Sequence, residues 1–342
     1  MFSKCPFLDT VLYRENDGRY VSYRIPGIVA CDDHTLVACL EAREDPVSDW
    51  GKIDIIILVS GDGGNTWRET MIISSPDDVP CTFNNPCLAF DGKTVFLVYH
   101  RDYRQAFLVT SEDRGAAWNN AREITSVFQA FDWQWNVCAA GPGHGIFTSD
   151  KKLVFPVWLA NGAVLPDGTR KHWPSVAGFI VSRDHGRTWV PGILAKELNS
   201  GNETSVCELP DKRLLFDFRT RDEARKRTVG YRYPDGDRFE DIHAVPQLDD
   251  PMCFGSILCI NGIVVQVNCH DPYHRKDLSL VISPDLGKTW RRDLLIDPVG
   301  GYADLAWSGE SLYILYERTD PVTGHVAEIC LKGYHETGNK EQ

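Results

Sequence analysis

A motif of the form Ser-x-Asp-x-Gly-x-x-Trp occurs four times in this 342-residue chain, beginning at Ser60, Ser111, Ser182 and Ser283. No other feature restricts the fold as strongly, because a motif that returns at long intervals marks an architecture of repeated units. Each copy has the chemistry of a tight turn. The Asp accepts hydrogen bonds from nearby backbone N–H groups, the Gly takes a conformation other residues resist, and the Trp is a large apolar anchor. The first copy follows residues 53–59, Ile-Asp-Ile-Ile-Ile-Leu-Val, so the local reading is strand, turn, strand.

Successive copies start about 50, 70 and 100 residues apart. A worn copy at residues 233–239, which keeps Asp235, Gly236 and a terminal Phe239, divides the longest interval. The underlying period is then about 50, with an insertion of about 20 residues between the second and third copies, placed at residues 159–172. Such a period, with several strands per unit, suggests propeller blades, of which this length holds about six or seven. Strands are expected at residues 25–31, 35–41, 94–99, 153–158, 214–218, 263–267 and 312–316. Helical periodicity is scarce, with a short turn at 223–227. No linker of Pro, Gly or Ser divides the chain, so residues 1–342 read as one domain, and the polar tail 335–342 is expected to fray.

Composition removes several function classes. A net charge of −12 argues against nucleic acid as a partner. No apolar run approaches the roughly 18 residues of a membrane span, so no transmembrane segment is expected. The opening residues lack the apolar stretch of a secretory signal, which predicts a cytoplasmic protein, or a secreted one if a leader was removed. Eleven cysteines without a Cys-x-x-Cys pair read as reduced, structural thiols, and their spacings do not suit zinc. The boxes carry too few carboxylates for a calcium cage.

Residues outside the boxes carry more chemistry. Tyr23-Arg24-Ile25-Pro26 opens the first strand pair, followed by Leu40-Glu41-Ala42-Arg43 and then Asp49. Together with the boxes, these residues make the chain resemble the exo-α-sialidase (neuraminidase) family over nearly its whole length. The resemblance implies an all-β fold, a six-bladed β-propeller of four-stranded antiparallel sheets, with the active site on the axis and the boxes at the periphery.

It also implies a set of roles. Three arginines bind the substrate carboxylate: Arg24 from the Arg-Ile-Pro motif, Arg219 from Phe216-Asp217-Phe218-Arg219 with Arg221 as its competitor, and Arg275 from His274-Arg275-Lys276. Permanently charged, forked guanidinium groups suit a carboxylate. Glu317 in Leu315-Tyr316-Glu317 matches the acid that steadies the first arginine. Arg43 matches an arginine near the C4 substituent, and Asn85 in Asn84-Asn85-Pro86 a pocket-lining residue. Asp49 matches the loop-borne general acid/base, with Asp45 close enough to compete. Tyr302 in Gly301-Tyr302-Ala303-Asp304 matches the nucleophile, and Glu203 the base that relieves it of its proton, with Glu208 as runner-up. Tyrosine nucleophiles of sialidases are a known exception to the two-carboxylate rule of glycosidases.

The run Gly141-Pro142-Gly143-His144-Gly145 lacks the Lys-Ser/Thr of a phosphate loop and reads as turn geometry. Trp133, Trp135 and Trp158 suit either the wall of an acyl pocket or core packing. The expected activity is retaining hydrolysis of terminal sialic acids from glycoconjugates through a tyrosyl-linked intermediate, without metal or organic cofactor. The alternatives are a related glycosidase for another ulosonic or nonulosonic acid, a trans-sialidase, or a non-catalytic propeller that binds glycan or protein.

Overall fold

A computed structural model of the chain describes residues 1–75, 80–234 and 236–337. Twenty-six strands and one five-residue helix, Thr125–Gln129, make up its regular structure among the described residues. The strands form six sheets, each with a core of four antiparallel strands; consecutive strands pair, except where Leu8–Arg14 joins Val326–His335 and Val137–Ala140 joins Leu153–Ala160. The sheets are the blades of a six-bladed β-propeller.

Blade 1 is made of Ser22–Ala30, Leu36–Arg43, Ile53–Ser60 and Arg68–Ile73, and blade 2 of Phe83–Phe90, Val95–Arg101, Gln105–Ser111 and Arg122–Glu123. Blade 3 contains Val137–Ala140, Leu153–Ala160, Ser175–Ser182 and Val190–Leu194. Blades 4 and 5 run Thr204–Glu208 to Glu240–Asp249 and Ser256–Ile260 to Arg291–Val299. In blade 6, Ala303–Ser308, Ser311–Thr319 and Val326–His335 are completed by Leu8–Arg14 from the start of the chain. Two blades depart from four strands. Gly143–His144 adds in parallel to blade 2, and Ile146–Phe147 pairs with the second strand of blade 3.

The middle strands lie between neighbouring sheets and are buried on both faces. Leu36–Arg43 and Leu153–Ala160 are buried along their whole length. That explains why Leu153–Ala160 reads as a continuous apolar run, whereas the outer strand Arg68–Ile73 is mostly exposed or half-buried. The core is divided accordingly. One apolar cluster joins blades 1 and 2 through Val37, Ile57, Leu97 and Val109, and another joins blades 5 and 6 through Val267, Leu280, Leu305 and Ile314.

The boxes behave as turn staples. In the first, Ser60 Oγ accepts from Gly64 N (2.8 Å), Asp62 Oδ1 accepts from Thr66 N (2.9 Å), and Trp67 Nε1 donates to Gly64 O (3.0 Å). The other three repeat these bonds within about 0.1 Å. All four box glycines have φ between 77° and 93°, where a Cβ is strained. Each abuts the preceding blade: a Cβ on Gly115 would stand 2.8 Å from Val59, and one on Gly287 2.9 Å from Leu215.

Of the worn copy, Asp235 lies outside the described residues, but Phe239 is buried against Phe216 and Phe218 as the terminal aromatic should be. It belongs to blade 4. Blade 6 has no box because its fourth strand comes from the other end of the chain. Six blades therefore leave five places for a box. The tail is better held than expected as far as Thr337: Glu336 pairs with Phe2, and Thr337 N donates to Met1 O. Residues 338–342 lie outside the described residues.

Near the axis, the inner strands of four blades meet at one carboxylate. Asp304 accepts from Ile28 N (2.9 Å) and Ser256 Oγ (2.8 Å), and His144 Nδ1 stands 2.7 Å from its Oδ1. Gly143, with φ of 81°, passes so close that a Cβ would meet Asp304 at 2.9 Å. The glycine run is thus a close approach of backbone to this hub. All eleven cysteines are unbonded thiols. Among the described residues no helix is long and apolar enough to cross a membrane.

Candidate active site

Strand parity decides which end of the ring can hold a site. In each up-and-down blade, the turn between strands two and three lies at the opposite end from the box turn between strands three and four. Arg24, Asn85, Glu203 and Tyr302 stand at or just before first strands, and Arg43, Arg219 and Glu317 close second strands. Asp49 and Arg275 lie in loops between strands two and three. All nine expected residues therefore occupy one end, and the boxes the other. The boxes are peripheral in this specific sense. Eight of the nine line one cavity of about 160 Å³; Glu317 lies beneath it.

Tyr302 is at its centre. The phenol is 5% exposed and donates to Glu203 Oε2 at 2.6 Å. Arg219 Nη1 donates to the same phenolic oxygen at 2.6 Å and also bonds Glu203. Guanidinium carbons of Arg275, Arg24 and Arg219 stand 5.0, 5.3 and 6.0 Å from the ring centroid. Burial pushes the Tyr302 hydroxyl well above its ordinary range, although Arg219 opposes the shift. The resting phenol is neutral, and its proton already points at a carboxylate.

The three arginines are unequally engaged. Arg24 gives Nε and Nη2 to Glu317 at 3.1 and 3.3 Å. Glu317 is fully buried and also accepts from Ile25 N (3.0 Å) and Tyr302 N (3.1 Å). Burial pushes its carboxyl up, but Arg24, Arg275 and these N–H donors outweigh that and hold it below the usual carboxylate range. Arg219 spends Nη1 on Glu203 and Tyr302. The Arg275 side chain makes no hydrogen bond or ion pair among the described residues, although Tyr302 and Glu317 lie within its field. A guanidinium has five donors. Three cations around one ring, with most donors unspent, make a receptor for an anion with several oxygens.

Arg43 is differently placed. It is fully buried, with Nε and Nη2 on Glu41 and Nη1 on Asp49 Oδ1 at 2.9 Å. Glu41 also accepts from Asn85 N (2.9 Å). Asn85 is buried with φ of 47° and Nδ2 3.4 Å from Ala140 O. Sequence reasoning gave Glu41 no role, yet residues i and i+2 of a strand share a face, so its pairing with Arg43 was readable. Asp49, 45% exposed, sits at the cavity edge. Burial raises its carboxyl, but Arg43 and Arg24 outweigh burial and hold it below its ordinary range.

The competing residues are separated by this geometry. Asp45 is exposed and spends its carboxylate on Val47 N and Ser48 N within its own turn. Arg221 lies at the rim with its guanidinium carbon 4.3 Å from the Trp173 ring. Glu208 is at the far end of the strand that follows Glu203 and bonds Ser149, so it does not reach Tyr302. Asp217, beside Arg219 in sequence, is taken by Arg227 and Gln266.

The tryptophans divide too. Trp158 lines the cavity, buried, with Nε1 lacking a hydrogen-bond partner among the described residues. Trp133 and Trp135 pack against the core between blades 2 and 3, and Trp135 Nε1 donates to Phe128 O (3.0 Å). The insertion expected at 159–172 falls on the loop 161–174 between strands two and three of blade 3, with residues 159 and 160 still in the strand, so it reaches the site end. It brings His172 and Trp173 to the cavity, where Tyr103 stacks obliquely on His172 (4.7 Å). Neither His172 nor Trp173 was expected there.

Comparison with known proteins bears on the family and the fold. A family model described as a BNR repeat-like domain matches residues 34–314. A sialidase of Bacteroides fragilis is 25% identical over 89% of this chain, which spans 61% of that relative's length. Among solved structures, the Hadza microbial sialidase Hz136 superposes with a TM-score of 0.79 at 24% identity, over 95% of this chain and 68% of that one. The intramolecular trans-sialidase of Ruminococcus gnavus superposes with a TM-score of 0.70 at 15% identity, over 95% and 96%. At these identities the structural likenesses speak for the fold.

Proposed function

Since the chain belongs to the BNR repeat-like domain family, we propose that its propeller is a retaining exo-α-sialidase acting on terminal sialic acids of glycoconjugates. The observation that carries this reading is the Tyr302–Glu203 hydrogen bond of 2.6 Å inside a ring of three guanidiniums. The arginines suit a sugar acid whose carboxylate sits on the reacting carbon. A carboxylate nucleophile would meet like charge there, whereas a neutral phenol does not.

Arg24, Arg219 and Arg275 hold the substrate carboxylate. Protonated Asp49 gives its proton to the leaving oxygen as the glycosidic bond breaks. The Tyr302 oxygen bonds to the anomeric carbon and its proton passes to Glu203. Asp49, now a carboxylate, takes a proton from water. The water oxygen then displaces Tyr302, which recovers its proton from Glu203. Glu317 and Glu41 are positioning residues for Arg24 and Arg43.

The sialidase names among the relatives support the substrate class. Mass spectrometry of sugar released from a mixed panel of sialylated glycans, with Tyr302→Phe as control, tests the reading. Release of free sialic acid by the wild type and not by the control is the expected result. Release of an anhydro or transferred sugar instead would indicate transfer, and no release would indicate a binding propeller.

A further inference from the structure

A second cavity, of about 440 Å³, opens on the opposite end of the ring between blades 3 and 4. Its volume falls in the range of small-molecule sites. Strand parity fixes its position. Lys152 stands just before the strand that ends near Trp158, and Glu208 ends the strand that starts after Glu203. The two cavities therefore lie at opposite ends of the same two strands.

The walls have a definite chemistry. The floor is apolar: Val154, Phe179 and Val181 from blade 3 face Leu214 from blade 4, with the half-exposed Tyr233 ring at the edge. Four cations line the mouth, Lys152, Arg183, Lys212 and Arg232, against two carboxylates, Asp150 and Glu208. The carboxylates are already engaged. Asp150 pairs with Lys152 and accepts from Thr148 Oγ1 (2.6 Å). Glu208 accepts from Ser149 N and Ser149 Oγ, both at 2.7 Å, which also ties the two blades together at this wall. Two cations are not matched. Arg183 makes no hydrogen bond or ion pair among the described residues, though its field reaches Asp150. Among the described residues Lys212 Nζ bonds only the neutral Ser149 hydroxyl, at 2.8 Å.

We propose that this rear cavity binds a small amphipathic anion, with an apolar body on the Val154–Phe179–Leu214 floor and a carboxylate or phosphate head between Arg183 and Lys212. An anionic head would give Arg183 the partner it lacks, and an apolar body would cover the partly exposed Leu214 and Tyr233 at the edge of the floor. The site does not depend on the sialidase reading.

Calorimetric titration of the whole chain with decanoate and with decyl phosphate tests it, both below their aggregation concentrations. Decanol and inorganic phosphate serve as the apolar-only and charge-only controls. At least one amphipathic anion should saturate at one site, at least tenfold tighter than either control, and the two arms identify the preferred head. The double variant R183E/K212E should weaken that binding at least tenfold while leaving sialoside hydrolysis unchanged. Because the catalytic arginines also attract carboxylates, Arg275→Ala is titrated in parallel, and the binding should survive there. Binding of decanol as tight as that of the anions, binding indifferent to R183E/K212E, binding lost in Arg275→Ala, or no binding at all would overturn the proposal. Failure of hydrolysis by the wild type would instead bear on the catalytic reading alone.

Discussion

Tyr302 donates its phenolic proton to Glu203 across 2.6 Å although 99 residues separate them, and the two sit at the starts of different blades. Proton acceptor and nucleophile are thus aligned before any substrate arrives. Removing the hydroxyl deletes both the attack and the proton path but keeps the ring that fills the site. Tyr302→Phe should lower kcat by roughly 10³-fold or more, with little change in thermal midpoint. Steady-state kinetics on a fluorogenic sialoside beside a thermal melt checks this; turnover within tenfold of wild type would exclude Tyr302 as nucleophile.

Asp49 gives a pH prediction of definite sign. Burial raises its carboxyl, and Arg43, Arg24 and His172 together lower it further than burial raises it. Tyr103 also faces it. The acid form is needed for glycosidic cleavage, so activity falls as pH rises through its pKa. In the free enzyme that pKa is low. A bound substrate carboxylate opposes the arginine field and makes Asp49 a weaker acid. For a substrate with a poor leaving group, the alkaline limb of kcat should lie at higher pH than that of kcat/KM. Arg43→Gln should move the kcat/KM limb upward. Coincident limbs in the wild type would contradict this role for Arg43 and Arg24.

Glu317 links the site to stability. Its folded pKa lies below the ordinary 4.5. The stability it contributes is present above that value and is lost as pH falls through the lower, folded one. Glu317→Ala leaves Arg24 with its counter-charge removed and should cost about 3–5 kcal/mol. Glu317→Gln should be milder and should flatten stability in that acid window. Urea unfolding at a series of pH values measures both; an unchanged acid limb in Glu317→Gln would refute the linkage.

The boxes should matter for the ring and not for chemistry. Gly115→Ala places a Cβ at φ of 86° and 2.8 Å from Val59. We expect a cost of about 1–3 kcal/mol, with kcat unchanged at temperatures where the protein stays folded. Parallel melts and kinetics separate the two effects, and a lost kcat without a lowered melting temperature would place the boxes in the catalytic machinery.

Much of this was legible in the sequence because the informative residues are local. Box turns and doubly buried strands such as residues 53–60 announce themselves, and Arg24, Tyr302 and Glu317 stand in recognisable segments. Other features depend on parity along the blade, which a motif does not carry. Glu203 and Glu208 flank one strand, and at about 3.3 Å per residue only one of them can face the site. The insertion expected at residues 159–172 carries no motif that assigns it a role. Its place between a second and a third strand sends His172 and Trp173 to the cavity. The repeat period alone fits six or seven blades; the family resemblance implies six, and the first strand completing the last sheet gives that number.

That shared sheet has a consequence for biosynthesis. Arg24 emerges from the ribosome early, yet its counter-ion Glu317 follows 293 residues later, on a blade that must recruit Leu8–Arg14 from the other extremity. Throughout translation the nascent chain holds a buried-to-be cation without its acid and an unzipped edge strand exposed to other chains. The window closes only when the last sheet forms, so this ring gains its anion receptor and its protection from aggregation in a single late event.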